Sequence, residues 1–132
     1  MPLTWIARLT HIPIIWTRPH EYVPAAVDET GTLWIDPLMS ETEQRCALAH
    51  EAVHLEQEHV GCQPPAVEQR VRAETARRLV PIDALVAAAM WARHHDELAA
   101  ELGVTRLVLE DRLANLAIDE QERLNLLEPP HP

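Results

Sequence analysis

Two histidines separated by three residues, in the run His50-Glu51-Ala52-Val53-His54, constrain this chain more than any other feature of its sequence. The segment just upstream, Ser40-Glu41-Thr42-Glu43, has the pattern of a capping box, in which a serine and a glutamate three positions later satisfy free N–H groups at the start of a helix. We therefore predict a helix over residues 41–59, ended by Gly61. Both imidazoles then project from one face of that helix.

The residue types of this run are typical of a metal site. Side chains at positions i and i+4 of a helix share one face, so His50 and His54 can converge on one ion, and imidazole is a common zinc ligand. Glu51 lies roughly 100° round the helix axis, where its carboxylate can act as general base toward a water activated by the metal. The pattern H-E-x-x-H is a zinc-peptidase signature, so we predict one zinc ion per chain, with Glu51 as the catalytic residue. The alternative is a pair of surface histidines.

A catalytic zinc site usually takes three ligands from the protein, so the two histidines need a partner. Gln57 and Val60 occupy the positions of Gly and His in the extended motif H-E-x-x-H-x-x-G-x-x-H, which excludes that form. Glu58 shares the face of the histidines, but three ligands on successive turns of one straight helix cannot surround a tetrahedral ion. The third ligand must therefore come from another segment.

The next segment offers two glutamates. Residues 66–80 are expected to form a helix ended by Pro81, and this helix carries Glu68 and Glu74. Helical periodicity places Glu74 close to the packed face that Val71 marks, whereas Glu68 lies further round the axis. We predict Glu74 as the third ligand and keep Glu68 as the alternative. Either glutamate could instead pair with an arginine one turn away.

The N-terminal residues differ from the rest. Residues 11–17 and 32–36 are short, apolar and rich in β-branched side chains, which is typical of strands. Prolines at positions 13, 19 and 24 confine such strands to sheet edges or strand ends. We predict a small antiparallel sheet of two or three strands followed by helices from Ser40 onward, and hence an α+β fold.

The remaining residues are expected to complete one helical domain. The apolar residues 82–92, which include Met90 and Trp91, are predicted to form a helix at the centre of the core. We assign residues 1–128 to a single domain. Its parts are the sheet (1–39), the zinc-site helices (40–95) and the C-terminal helices (96–128), and a tail (129–132) follows.

Composition and charge argue against several classes of function. Lys plus Arg is 11 and Asp plus Glu is 21, so the net charge of −10 repels a phosphate backbone, and we expect no direct nucleic acid binding. No stretch of about 18 apolar residues and no secretory leader is evident, so we expect no membrane partner and a cytoplasmic location. The two cysteines, Cys46 and Cys62, fit a reducing compartment.

Two short helices, over residues 96–102 and 105–116, flank Gly103 in the pattern of a helix-turn-helix. The second one carries Arg106 and Arg112 but also acidic residues, which argues against reading of DNA bases. We favour a packing or substrate-docking role over DNA contact.

Four further side chains could polarise a substrate carbonyl beside the metal, although a solvated position is their more ordinary role. These are His20, Tyr22, His94 and His95.

With these motifs the chain resembles the ImmA/IrrE family of small metallopeptidases. The resemblance rests on residues 32–36, 48–55 and 98–105 and on the Glu-rich helix that ends in Leu79-Val80-Pro81. It implies that the two motif histidines and a glutamate from the following helix hold zinc. Carried over to this chain, the ligands are His50, His54 and Glu74, with Glu51 as the base.

The resemblance also implies site-specific cleavage of a regulatory protein, such as a transcriptional repressor with a helix-turn-helix domain. The predicted function is thus a zinc-dependent endopeptidase that acts on a protein substrate, and an edge strand of the sheet could pair with the extended substrate. Two alternatives stay open: a metal-containing regulatory protein that binds a partner without cutting it, and a transcriptional regulator that acts through the C-terminal helices.

Overall fold

A computed structural model of the chain describes residues 12–59 and 63–127. Within these ranges three short strands precede six helices, which confirms the predicted α+β class. The elements are β1 (Ile14–Ile15), β2 (Ala25–Val27), β3 (Leu33–Ile35), α1 (Glu41–Glu56), α2 (Pro65–Leu79), α3 (Ile82–Ala89), α4 (His95–Leu102), α5 (Arg106–Ala114) and α6 (Ile118–Asn125). The predicted helix stop at Gly61, Cys62 and the tail lie outside the described residues.

The three strands form a mixed sheet in the order β1-β3-β2. β2 and β3 make an antiparallel hairpin, but β1 runs parallel to β3, with Ile14 opposite Leu33. The prediction of a purely antiparallel sheet is therefore wrong, because β1 pairs with β3 and not with β2, its neighbour in sequence. Pro13 and Pro24 each precede an edge strand, and their carbonyls accept the N–H groups of Leu33 and Asp36 at 2.9 Å.

The turn of the hairpin is built around Asp28. Its carboxylate accepts hydrogen bonds from the hydroxyl and N–H of Thr30, from the N–H of Thr32 and from the indole of Trp34. These bonds, led by the one from the Thr30 hydroxyl, lower the pKa of Asp28 to about 2. Gly31 completes the turn in the left-handed region, with a φ of 81°. The turn fixes the register of the hairpin and with it the position of the free edge of β2.

Helix α1 begins at the predicted capping box. The Ser40 hydroxyl accepts the N–H of Glu43 at 3.1 Å, and the Glu43 carboxylate accepts the N–H of Ser40 at 3.2 Å. This start sets the phase of α1, so that both histidines of the run face α2 and the sheet rather than open solvent.

Helix α1 lies between two hydrophobic clusters. On one side Ala47 packs against the sheet cluster, which is formed by the buried side chains of Ala25, Leu33 and Ile35. On the other side Cys46 and Ala49 belong to the helical core. The other buried members of that core are Leu79, Val80, Leu85, Ala88, Leu98, Ala99, Val104 and Leu109.

Helix α3 enters the helical core for only part of its predicted length. Leu85 is fully buried, but α3 ends at Ala89, and the side chains of Met90 and Trp91 are 63% and 81% exposed. The prediction that all of residues 82–92 lie at the centre of the core is therefore wrong at its C-terminal end.

The two helices that flank Gly103 pack into the domain. Gly103 ends α4 with a φ of 69°, as the sequence indicated, and Thr105 caps α5 by accepting the N–H of Val108. Arg112 of α5 is 2% exposed; it donates to the Val80 carbonyl at 2.7 Å and forms two bonds with the Glu120 carboxylate. None of the helices in the described ranges has the length and apolar character needed to cross a bilayer.

Candidate metal centre

Three potential ligand atoms meet between the C-terminal half of α1 and the first turn of α2. Nε2 of His54 lies 3.2 Å from Nε2 of His50 and 3.2 Å from Oε2 of Glu68. Nε2 of His50 lies 3.5 Å from the same carboxylate oxygen. Across residues 12–59 and 63–127, this is the one cluster of His, Cys, Asp or Glu side chains compact enough to hold a metal ion. We call these three residues the metal group.

The geometry of the metal group fits zinc. Imidazole nitrogen and carboxylate oxygen bind zinc at about 2.0–2.2 Å, which sets neighbouring ligand atoms of a tetrahedral site about 3.3–3.6 Å apart. The observed separations of 3.2 Å, 3.2 Å and 3.5 Å are close to that range. Two imidazoles and one carboxylate also form the ligand set of catalytic zinc sites that leave a fourth position open.

The third member of the metal group is Glu68, the alternative in the sequence, and not Glu74, the predicted ligand. Glu74 pairs with arginines of its own helix: its carboxylate contacts Arg77 and accepts a hydrogen bond from Nε of Arg78 at 2.9 Å. Glu74 is not among the side chains that converge with the histidines in the described part of the chain. We therefore replace Glu74 by Glu68 in the ligand set that we propose below.

The phase of α2 explains this difference. The buried stripe of α2 runs through Val71, Thr75 and Leu79, and Glu68 lies one turn before Val71 on the same stripe. Glu74 lies about 100° round the axis from Thr75. Periodicity counted on apolar residues misses this stripe because Thr75, although only 3% exposed, is polar. Its hydroxyl donates to the Val71 carbonyl at 2.7 Å and so needs no partner outside the helix.

Glu51 lies beside the metal group. Burial raises the pKa of the Glu51 carboxyl to about 7, and the negative charge of Glu68 adds to the increase. Burial also lowers the pKa of His50, and the neighbouring His54 acts in the same direction. The site therefore favours a neutral imidazole at His50, which is the form that binds metals, and a carboxyl at Glu51 that can exchange a proton near neutral pH.

A third histidine, His59, also contacts the site, and the sequence offered no signal for it beyond its residue type. Nδ1 of His59 lies 3.0 Å from Nδ1 of His54, on the side of that ring away from the metal group. The chain reaches this position through Glu58, which has a φ of 60°. A left-handed conformation costs a residue other than glycine about 1–2 kcal/mol.

Two cavities meet at His50 and Glu51. The larger cleft, of about 640 Å³, is lined by the edge strand β2, by His20 and His59 and by the whole metal group. The smaller pocket, of about 340 Å³, is mainly apolar and runs from Met39 and Ala47 to Leu107 and Val108 of α5. Ala25, at the start of β2, lines both cavities. We call the two adjoining cavities, which share Ala25, His50 and Glu51, the groove; its larger part borders β2, the edge strand of the sheet.

The four candidates for polarising a carbonyl are distributed unequally around this groove. His20 lines the larger cleft, and its Nδ1 accepts the N–H of Tyr22 at 3.2 Å. Tyr22 itself is 78% exposed. His94 and His95 are exposed at the start of α4 and line neither cavity.

Two imidazoles on one helix, a carboxylate from the next helix and a second carboxylate beside them are the arrangement of a metallopeptidase site. Residues 16–114 match the family model of peptidase M78, described as the IrrE N-terminal-like domain. The match covers about three quarters of the 132 residues, and the chain belongs to this family. The resemblance seen in the sequence is thereby confirmed. No curated protein and no solved structure gives a significant match.

Proposed function

We propose that this metallopeptidase-family protein is a zinc-dependent endopeptidase with His50, His54 and Glu68 as ligands and Glu51 as catalytic residue. The observation that carries the proposal is the meeting of three ligand atoms within 3.2–3.5 Å of one another, next to the half-buried carboxyl of Glu51. All three residues are of types that bind zinc, and one ligand atom of each converges at a single point between α1 and α2.

When bound, the metal would activate a water molecule and polarise the scissile carbonyl. The residues of the protein supply the other two steps: Glu51 transfers the proton, and the groove binds and orients the substrate. Glu51 accepts a proton from the attacking water and passes it to the leaving amine, for which a pKa near 7 is well suited. The covered position of His54, only 6% exposed, keeps bulk water away from one side of the ligands.

The groove favours an extended polypeptide as substrate. β2 is an edge strand, so its free N–H and C=O groups can pair with a substrate strand and lay it past the metal group. Both cavities reach His50 and Glu51, so the chain can continue on either side of the bond to be cut. An open passage of this kind supports cleavage within a chain rather than removal of its end residues.

The substrate proposed is a regulatory protein, such as a repressor with a helix-turn-helix domain, cut at one site. Support comes from the family resemblance. The mainly apolar lining of the smaller pocket would suit one apolar side chain of such a substrate. We further propose a single domain and a cytoplasmic location. Helix α1 shares in both hydrophobic clusters, and Cys46 is a buried free thiol, which suits a reducing compartment.

The alternative of a DNA-binding regulator receives less support. Both arginines of α5 are engaged within the protein: Arg106 pairs with Asp96 and Glu110, and Arg112 is buried against Glu120. Leu107 and Val108 of the same helix line the smaller pocket. We assign α5 to substrate binding.

The test is incubation of the zinc-loaded protein with candidate repressors and with unfolded model proteins, followed by mass spectrometry of fragments. Cleavage by the wild type, lost in Glu51→Gln and retained in Glu101→Gln, an exposed carboxylate on α4, would support the proposal. Tight binding of a repressor without fragments in any sample would instead favour the non-cleaving regulatory protein.

A further inference from the structure

We propose that His59 is a positioning residue of the metal centre: its Nδ1 holds His54 in the ring orientation and tautomer that present Nε2 to the metal. This inference rests on the proposed metallopeptidase function and adds a residue to it. His59 is neither a ligand in the metal group nor part of the H-E-x-x-H run.

The contacts of His54 define the role of each ring nitrogen. Its Nε2 faces His50 and Glu68, and its Nδ1 lies 3.0 Å from Nδ1 of His59. A neutral histidine that gives the lone pair of Nε2 to a metal carries its proton on Nδ1. Nδ1 of His54 is then the donor and Nδ1 of His59 the acceptor, which leaves the proton of His59 on its Nε2. Outer partners of this kind fix the ring of a metal-binding histidine and make it a stronger ligand.

The backbone at the end of α1 brings His59 to this place. The N–H of Glu58 donates to the Leu55 carbonyl at 3.1 Å, and the N–H of His59 donates to the His54 carbonyl at 2.9 Å. This pair of bonds is the Schellman pattern, in which the chain turns back over the last turn of a helix. His59 is therefore tied to His54 twice, once through the main chain and once through the side chains.

The residue that turns the chain is unusual for its position. Glycine normally occupies it, because the conformation is left-handed, but here Glu58 adopts a φ of 60°. The side chain of Glu58 is exposed, so its burial does not offset the cost of the left-handed conformation. The left-handed turn brings the ring of His59 close to that of His54, with ring centroids 5.2 Å apart and ring planes at 63° to each other. Conformations of this kind in residues other than glycine cluster at functional sites.

The experiment measures zinc affinity by competition with a chromogenic chelator, together with the melting temperature of the metal-stripped protein. The variants are His59→Ala, His59→Asn, Glu58→Val and Glu58→Gly, with His94→Ala as a matched histidine control outside the site. We expect His59→Ala to weaken zinc binding about 10–100-fold. His59→Asn, whose side-chain oxygen can accept at the same place, should recover most of the loss. Glu58→Val disfavours the left-handed turn and should weaken zinc binding, whereas Glu58→Gly should leave it unchanged.

Two results would overturn this inference. One is zinc binding by His59→Ala within about twofold of the wild type. The other is an equal loss in His59→Ala and His59→Asn accompanied by a lower melting temperature of the stripped protein, which would assign His59 a merely structural role. Failure of the wild type itself to bind zinc would refute the proposed function first and this inference with it, so the two failures are told apart within one experiment.

Discussion

The carboxylate of Glu68 lies 3.2 Å from Nε2 of His54, although 14 positions separate the two residues in the chain. Glu68 lies in the first turn of α2 and His54 in the last turn of α1. The contact between them therefore depends on how α2 packs against α1. A metal ion bound there would join the two helices at the point where the chain turns between them.

Separate substitution of each candidate glutamate by glutamine tests which of them is a metal ligand. Glu68→Gln should lower zinc affinity more than about 100-fold, because loss of a direct ligand exceeds the 10–100-fold effect of an outer partner. Glu74→Gln should bind zinc as the wild type does and should lose only its pairing with Arg77 and Arg78. The measurement is chelator competition at pH 7. Equal retention of zinc by both variants would contradict the assignment.

Glu51→Gln should separate catalysis from metal binding. Glutamine keeps the size of the side chain but cannot accept a proton, so we expect kcat to fall about 10²–10⁴-fold. Zinc content should stay at one ion per chain, since Glu51 is not in the metal group. Peptide hydrolysis and elemental analysis on the same preparation give both values. Loss of zinc in this variant would place Glu51 among the ligands.

His20 is expected to donate a hydrogen bond to the substrate carbonyl. Its Nδ1 accepts the N–H of Tyr22, which leaves the ring N–H on Nε2, and the side chain lines the larger cleft. His20→Ala should lower kcat about 10²-fold with little change in zinc affinity. Tyr22→Phe is the matched control, because it keeps the main-chain donor to His20. An unchanged kcat in His20→Ala would remove His20 from the mechanism.

The smaller pocket should select an apolar side chain of the substrate. Leu107→Asn replaces part of its apolar wall with a polar group of similar size. We expect kcat/KM to fall about tenfold for peptides with a large apolar residue next to the cleaved bond, and less for those with a small one. Profiling with a peptide library gives the comparison. Leu126→Asn, at an exposed position after α6, should leave the profile unchanged.

The pair formed by Arg112 and Glu120 should make stability depend on pH. Hydrogen bonds from Arg112 lower the pKa of Glu120 to about 2. Because the folded pKa is depressed, the ionised carboxylate contributes its full stability above the unfolded pKa and loses it as pH falls toward about 2. Glu120→Gln should lower the free energy of unfolding by about 1–3 kcal/mol at pH 7, because the buried Arg112 loses its counter-charge while Glu120 itself is only partly buried.

Urea unfolding at pH 7 and at pH 3 measures this effect. The difference between wild type and Glu120→Gln should shrink at the lower pH. Glu122→Gln, an exposed neighbour on α6, should stay within about 0.5 kcal/mol of the wild type at both pH values. If the difference in unfolding free energy between the wild type and Glu120→Gln were the same at both pH values, the charge of the Glu120 carboxylate would make no contribution to stability.

Local signals in the sequence were enough for the ends of several helices and for the convergence of the two histidines. The capping box at Ser40, the left-handed Gly103 and the cap at Thr105 depend on residues close in the chain, and all three are found in the structure. The convergence of His50 and His54 follows from helix geometry alone.

The features that were missed depend on tertiary packing. The position of Glu68, rather than Glu74, beside the two histidines follows from the burial of Thr75, a polar residue whose hydroxyl is satisfied within its own helix. The parallel pairing of β1 with β3 is a long-range contact with no local signal. The approach of His59 requires a left-handed Glu58, a conformation that sequence rules reserve for glycine and asparagine.

The place of α1 between the sheet cluster and the helical core has a thermodynamic consequence. Melting of the small sheet would expose Ala47 of α1 to water. Melting of the helical core would expose Cys46 and Ala49 of the same helix. Unfolding of either cluster would therefore expose apolar side chains of α1 to water. The free edge of β2 and the metal group should be lost in a single cooperative transition on heating, and no partly unfolded form should keep the three side chains of the metal group together.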